Sequence, residues 1–342
     1  LNYEMVIDSL NAWQPDECLF RDSYRVKKGE LSFDLFVRKY AADPDGIRYA
    51  MYQENSPATL LENDFIHSGR DVVISKSARY APMFFHDHAF FELIYVLTGQ
   101  CVQHFRTQQF DLNAGDLCIL ATGVKHSIEV NSDSIVLNLL IRQSTFMDIF
   151  MNTIRDKTQL SQFFFNNLYT RNKIDYMLFH TDGDEVIRNY ILDMYSEQLM
   201  MDEYSNRIIC SLMTIFFTQL MRRHRKDLVL PGVRCQKGNY EAEILDYMIN
   251  GFANASLEDL ACRLHFSRQH CSRMIKDIFG CTFSDLLTNI RIQEGRNLLG
   301  STSLSIASVS EKTGYKNPET FIRAFKKHVG CTPAEYRKKR HF

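Results

Sequence analysis

Two stretches of this chain, fifty residues apart, repeat each other. Residues 272–282 read S-R-M-I-K-D-I-F-G-C-T and residues 322–332 read I-R-A-F-K-K-H-V-G-C-T. Arg273, Lys276, Gly280, Cys281 and Thr282 thus recur as Arg323, Lys326, Gly330, Cys331 and Thr332. Upstream the echo continues one residue out of step, with Ser256-Leu257 against Ser305-Ile306 and Leu260 against Val309. Each copy has the pattern of a short helical pair ending in a basic helix. Two such units at a fixed separation constrain the fold to a duplicated supersecondary motif, the arrangement expected of paired DNA readers.

The first unit predicts a helix over 257–264 that buries Leu257, Leu260, Ala261 and Leu264, a turn through His265 and Phe266, and a second helix from Ser267. That second helix turns Cys271, Met274, Ile275 and Ile278 inward and leaves Arg268, Gln269, Ser272, Arg273 and Lys276 outside. In the second unit Ile306 and Val309 are inward, Thr313-Gly314-Tyr315 form the turn, and Phe321, Ala324 and Phe325 face the core. Asn317, Glu319, Thr320, Arg323, Lys326 and Lys327 are then the outer, DNA-facing set. Arginine can bond guanine through two donors, glutamine can pair with adenine, and lysine suits phosphate. Between the units, 283–299 reads as one helix of roughly 25 Å, able to hold two recognition helices in successive major-groove faces. Ser256, Ser267, Thr282, Ser305, Asn317 and Thr332 stand where N-caps are needed.

Charge agrees with this reading. Residues 232–342 hold 17 Lys+Arg against 11 Asp+Glu, although the whole chain of 342 residues has a net charge of −1. The basic part is expected to meet a polyanion. No apolar run is long enough for a membrane span, and Asp8, Asp16 and Glu17 stand where a secretory signal would be apolar, so a cytoplasmic protein without membrane attachment is expected. The nine cysteines are scattered without C-x-x-C spacing and read as reduced core thiols rather than zinc ligands.

Ahead of the repeat the pattern changes twice. Runs at 72–75, 91–97, 101–105, 117–120 and 134–141 are β-rich and punctuated by glycine turns, which argues a sandwich or small barrel. From about 145 to 226 the period is helical, with one apolar stripe through Val186, Ile187, Tyr190, Ile191, Met194 and Tyr195 and another through Ile208, Ile209, Leu212, Met213, Ile215, Phe216 and Leu220. These stripes suit either packing on the barrel or a dimer interface. Asp43-Pro-Asp-Gly predicts a turn, and 228–239 a linker.

Residues 240–340 resemble the DNA-binding domain of the AraC/XylS family of bacterial transcription regulators. The resemblance rests on Ser256-Leu-Glu-Asp-Leu-Ala, Phe266-Ser-Arg, Ile290-Arg, Gly295-Arg-Asn-Leu-Leu, and the stretch from Thr313-Gly-Tyr-Lys-Asn-Pro through Gly330-Cys-Thr-Pro-Ala-Glu-Tyr-Arg. It implies two helix-turn-helix units on an asymmetric promoter site, with base-reading positions at Gln269, Ser272 and Arg273 and at Pro318, Glu319 and Arg323. Pro318 and Glu319 differ from the long polar donors common there, which shifts the expected contacts of that helix to Arg323, Lys326 and Lys327.

In the amino-terminal part His86, His88 and Glu92 alternate along strand-like sequence, and His126 follows a second glycine-marked turn. Three histidines and a carboxylate make a possible metal set, or a set of hydrogen-bonding groups for a polar effector. The spacing resembles the two motifs of the cupin barrel, with Tyr80 in place of the usual opening glycine and Ala121 in place of a common proline.

The expectation is a multidomain chain. A cupin-like effector-sensing β-barrel with an N-terminal extension occupies 1–145, a helical connection and dimerisation region 146–230, and an all-α domain with two helix-turn-helix motifs 231–342. Function is read as sequence-specific transcription regulation, not catalysis. His86, His88, Glu92 and His126 are assigned to effector binding, with no cofactor and no metal. The expected partners are double-stranded promoter DNA, a small-molecule effector, RNA polymerase and a second copy of the chain. The rival readings are a cupin-type metal-dependent enzyme with an appended DNA-binding domain, and a regulator that needs no ligand.

Overall fold

A computed structural model describes residues 3–52, 58–67, 69–143, 145–146, 175–230 and 240–340. These fall into two compact units, one within residues 3–230 and one within 240–340. Most of the expected linker, 231–239, and residues 147–174 of the expected helical connection lie outside the described residues.

The first unit opens with four helices, α1 (Tyr3–Asn11), α2 (Pro15–Lys27), α3 (Phe33–Lys39) and α4 (Pro44–Tyr52). Leu19, Phe36 and Ala50 form the shared core of α2, α3 and α4. The turn expected at Asp43-Pro-Asp-Gly is instead the start of α4. Pro44 takes the first helical position, and the Asp43 carboxylate accepts the Gly46 N–H at 2.9 Å. Asp followed by Pro fits a helix start as well as a turn, because both need a side-chain acceptor and a fixed φ.

Two sheets follow. One has the order β1 (Ala58–Leu60), β3 (His86–His88), β8 (His126–Glu129), β5 (Gln100–Phe105) and β6 (Gln109–Asn113). The other has the order β11 (Leu228–Val229), β10 (Tyr176–His180), β7 (Asp116–Leu120), β4 (Phe91–Thr98), β9 (Ile135–Ile141) and β2 (Val72–Lys76). A short helix, α5 (Glu62–Phe65), lies between β1 and β2. The expected strands form. Beyond residue 145, in the segment expected to be helical, Tyr176–His180 adds a further strand by pairing antiparallel with β7. The barrel therefore continues past its expected boundary. The run Y-M-L-F-H has four buried residues in five, which suits a central strand as well as a helix.

Helices α6 (Glu185–Met200) and α7 (Ser205–His224) pack together and on β2. As the edge of its sheet, β2 leaves backbone groups without a strand partner. Gln198 supplies both halves of a substitute, accepting from Ile74 N–H at 2.7 Å and donating to the Ile74 carbonyl at 2.6 Å. Asn206 does the same at Asp71, through backbone N–H and carboxylate. The two apolar stripes divide accordingly. Ile187, Ile191, Met194, Ile209, Met213, Phe216 and Leu220 are buried, whereas Val186, Ile208 and Ile215 are exposed.

A buried ion pair joins the helical extension to the barrel. Glu17, 1% exposed, accepts from Arg79 Nη2 at 2.8 Å, Arg79 Nε at 3.1 Å and Lys76 Nζ at 3.0 Å. The Arg79 guanidinium also lies 3.9 Å from the centre of the Trp13 ring. Burial pushes the Glu17 carboxyl up, but the hydrogen bonds from Arg79, the Gln14 backbone and Lys76 outweigh it and bring it down to about 2.

The second unit holds α8 (Tyr240–Gly251), α9 (Leu257–Arg263), α10 (Arg268–Phe279), α11 (Phe283–Ser301), α12 (Ile306–Lys312), α13 (Pro318–Val329) and α14 (Pro333–Arg340). All six expected caps form: Ser256, Ser267, Thr282, Ser305, Asn317 and Thr332 each accept a backbone N–H of the first turn. The one-residue slip in the repeat has a structural cause. In the first turn Phe266 N–H donates to the Ala261 carbonyl; in the second, Tyr315 N–H donates to that of Ser310. The cap follows at once as Ser267 in the first unit, but only after Lys316, as Asn317, in the second. The second turn is longer by that residue.

Both turns need a left-handed residue, His265 at φ +57° and Gly314 at φ +81°. Only the second is also tight. A Cβ on Gly314 would meet the Ala253 carbonyl oxygen at 2.3 Å and the Ala253 Cα at 2.7 Å. From α11, Arg291 donates to the carbonyls of Phe252 at 3.0 Å and Ala253 at 2.9 Å. The α8–α9 loop, the connecting helix and the second turn thus meet at one point.

Two outcomes test this packing. Gly314→Ala should destabilise the helical unit by about 2–4 kcal/mol, combining a disfavoured φ with a backbone collision, whereas Gly330→Ala, also at positive φ but in open space, should cost about 1 kcal/mol. Equal losses in thermal unfolding would contradict the close approach. For Glu17 the folded carboxyl lies below its unfolded value, so its stabilisation is present above the unfolded range and lost as pH falls towards 2. Melting temperatures of wild type and Glu17→Gln should differ most near neutrality and converge between about pH 5 and pH 2.

Candidate functional site

Strand β3 places His86 and His88 on one face, with Asp87 between them on the other. His86 is the register partner of His126 on β8. Glu92 reaches them from β4, in the opposite sheet, so this face is the barrel interior. The structure therefore brings together all four residues assigned to effector binding. The ring centres of His86 and His126 are 4.5 Å apart, and those of His88 and His126 5.0 Å. Phe84 stacks on His86 and Phe90 on His88, at 5.2 and 4.6 Å, fixing the ring planes.

Each imidazole is oriented by its own backbone. Nδ1 of His86 lies 3.0 Å from the Phe84 carbonyl oxygen, that of His88 2.6 Å from Phe90, and that of His126 3.0 Å from Val124. A carbonyl only accepts, so each Nδ1 carries a hydrogen and each neutral ring presents an Nε2 lone pair. Those of His126 and His88 lie 3.1 and 3.2 Å from Glu92 Oε2. The His126 contact has hydrogen-bond geometry, whereas the His88 Nε2 has no hydrogen-bond partner among the described residues. Burial pushes the Glu92 carboxyl up, but the rings of His126 and His88, when protonated at Nε2, place donors and positive charge beside it and hold it well below the usual carboxylate range. Burial, followed by the charge of His126, lowers the His86 imidazole.

Lone pairs and a carboxylate converging in a buried space repel one another unless a proton or a cation lies among them. One ligand atom from each of His86, Glu92 and His126 falls within 4.8 Å of the others. With Nδ1 of every ring already engaged, this is the outer-sphere hydrogen bonding that orients metal-binding histidines, and the nitrogen-and-oxygen donor set fits a divalent transition metal.

Gln103 is a residue that the sequence reading did not single out. On β5 it alternates with Cys101 and Phe105, and Phe105 faces His126 across the β5–β8 pairing, so Gln103 shares the interior face. It is fully buried, and neither its amide nitrogen nor its amide oxygen has a partner among the described residues. The available signal was a polar residue at an inward position of an alternating strand.

In the helical unit Arg268, Gln269, Arg273 and Lys276 are exposed along α10, and Ser272 is half-buried. Along α13, Glu319, Thr320, Arg323, Lys326 and Lys327 are exposed, with Asn317 exposed at its start. Cys271, Ile275 and Phe279, and in the second unit Phe321 and Phe325, point into the core. Arg268 forms an exposed ion pair with Glu258 at 3.2 Å. The connecting helix α11 has 19 residues and is thus about 28 Å long.

Residues 260–339 match a family profile described as a helix-turn-helix domain, and residues 72–174 one described as the AraC-like ligand binding domain; together they account for more than half of the chain. The HTH-type transcriptional activator RhaR of Enterobacter sp. (strain 638) is 23% identical over 295 residues, covering 82% of this chain and 96% of RhaR. The uncharacterized HTH-type transcriptional regulator YtdP of Bacillus subtilis (strain 168) is 34% identical over 85 residues, 25% of this chain, which spans only 11% of that protein. Among solved structures, ToxT from Vibrio cholerae O395, bound to (E)-4-(8-methylnaphthalen-1-yl)but-3-enoic acid, is 15% identical over 78% of this chain and 97% of its own, with a TM-score of 0.33. The C-terminal domain of AraT, a response regulator from Geobacillus stearothermophilus, is 40% identical over 28% of this chain and 79% of its own, with a TM-score of 0.27.

Proposed function

We propose that this chain, which belongs to the AraC family of transcription regulators, binds promoter DNA through α10 and α13 and answers to an effector held inside its barrel. The observation that carries the reading is the duplicated helix-turn-helix, with its caps formed and its polar and basic side chains exposed on both second helices. The relatives' names are those of transcription regulators, which supports regulation rather than catalysis. Among the described residues no helix is long and apolar enough to cross a membrane.

The barrel end of the reading rests on His86, His88, Glu92 and His126. The sequence alone assigned them to an effector without a metal; the converging Nε2 lone pairs favour a divalent cation among them. A bound metal would supply positive charge to neutralise Glu92 and coordination positions for an anionic or polar effector. Gln103 adds an amide donor and acceptor on the same interior face. Such an effector shifts DNA binding only by the difference between its affinities for the two states of the protein. The exposed Leu199, Met200, Met201, Tyr204 and Ile208 around the α6–α7 turn support homodimer formation by this unit.

Binding selection on fragmented genomic DNA at physiological salt should enrich sites with two short blocks about one helical turn apart. Against such a site, Arg273→Ala should lose about 1–3 kcal/mol and relax one base position, while Lys326→Ala should weaken all sequences alike and lower the salt slope by about 1. No enrichment by the full chain would defeat the regulator reading.

Cobalt(II) serves as a visible probe of the barrel. Titration should saturate at one ion per chain with ligand-field absorption, and Glu92→Ala or His126→Ala should abolish it. Wild-type protein that binds no cobalt at millimolar concentration would return the four residues to a metal-free role.

A further inference from the structure

The two recognition helices differ at one chemically decisive place. Gln269 is the second residue of α10, and Glu319 is the second residue of α13. Fifty residues separate them, the same interval as between Arg273 and Arg323, which follow one helical turn later. The backbone frames match. A side-chain cap precedes each helix, with Ser267 accepting from His270 N–H at 3.2 Å and Asn317 from Glu319 N–H at 2.8 Å. Each helix ends on a left-handed glycine, Gly280 at φ +67° and Gly330 at φ +84°. All four side chains are exposed. Within this shared frame, an amide in the first unit becomes a carboxylate in the second.

That substitution changes which base edge can be read. A Gln amide has one donor and one acceptor and matches the N6 and N7 of adenine. A carboxylate has acceptors alone. It is repelled by the O6 and N7 of guanine and the O4 of thymine, and it is matched by the N4 amino group of cytosine. Residues near the start of a recognition helix are the ones that reach base edges. No side-chain hydrogen bond or ion pair of the Glu319 carboxylate occurs among the described residues, while Lys316, Arg323, Lys326 and Lys327 around it are exposed cations available to phosphate.

We propose that Glu319 reads cytosine where Gln269 reads adenine. The DNA site then consists of two blocks with the same internal spacing, one pairing adenine with guanine and the other cytosine with guanine, the guanines being read by Arg273 and Arg323. The proposal rests on the reading that both helices enter the major groove. A carboxylate in the first turn also suits the helix dipole, but that role would leave base preference unchanged.

The test is selection from a random-sequence duplex library by the full chain, as wild type, Glu319→Gln and Gln269→Glu. Glu319→Gln should replace cytosine by adenine at one position of one block, with a change in preference of about tenfold or more, and leave the other block intact as the control for folding. Gln269→Glu should make the reciprocal change in the other block. Variants that keep the wild-type preference in both blocks would overturn the assignment of Glu319 while leaving DNA reading in place. Wild-type protein that selects no sequence would overturn the underlying reading, and this proposal with it.

Discussion

The approach of Gly314 to the backbone of Ala253 fixes the geometry of the helical unit. No side chain fits between them, and Arg291 holds the carbonyls of Phe252 and Ala253 against the connecting helix. The second turn is thereby seated on a loop of the first half, so the two copies of the motif are joined at a second place besides α11. Gly295 adds to this from within α11, where a Cβ would meet the Phe321 ring at 2.8 Å. A long helix alone would leave the second unit free to roll about its end. With these contacts the exposed faces of α10 and α13 keep one relation to each other, as the proposed reading of two base blocks requires.

The barrel is organised around a different constraint, a carboxylate taken out of water. Glu92 lies on a strand whose other residues, save the last, are buried and apolar, and its negative charge is stable only beside a proton or cation. Three backbone carbonyls settle the matter for the imidazoles by claiming every Nδ1 hydrogen. With the rings neutral, what remains is a set of acceptors without a donor, beside a Gln103 amide whose donor and acceptor both lack a partner among the described residues. Interior space of this kind is selective by its deficits, favouring ligands that bring positive charge or several hydrogen-bond donors.

Much of this was legible in the sequence because local chemistry dictates it. The six helix caps, the left-handed Gly314 and the inward apolar positions follow from side-chain geometry within a few residues. The strands at 72–75, 91–97 and 117–120 were readable because apolar residues fill them. The shared face of His86 and His88 followed from strand alternation, whereas Glu92 meets them from another strand in the opposite sheet, which alternation along one strand does not show. Short polar strands such as His86–His88 and His126–Glu129 lack a periodic signal, since only long-range pairing makes them strands. The four amino-terminal helices escaped notice for a related reason. They are short, and one of them is anchored by Glu17, a charged residue whose burial depends on Arg79, sixty-two positions away. The unpartnered state of Gln103 could not be read locally either, because it is a property of what surrounds the strand.

The extra residue in the second turn carries a consequence for the history of the duplication. Equivalent positions are offset by forty-nine before the turn and by fifty after it, with Lys316 making the difference. A recombination event that swaps material between the halves keeps the turn intact only when its junction falls clear of that residue. Crossing within the turn would delete Lys316 or duplicate its place, shifting the cap and the whole recognition helix by one residue relative to the turn that seats them. Exchange of whole recognition helices, each taken with its own cap, escapes this penalty. The two recognition helices can therefore be exchanged as sealed cassettes, while the turn that seats them stays fixed in its own half.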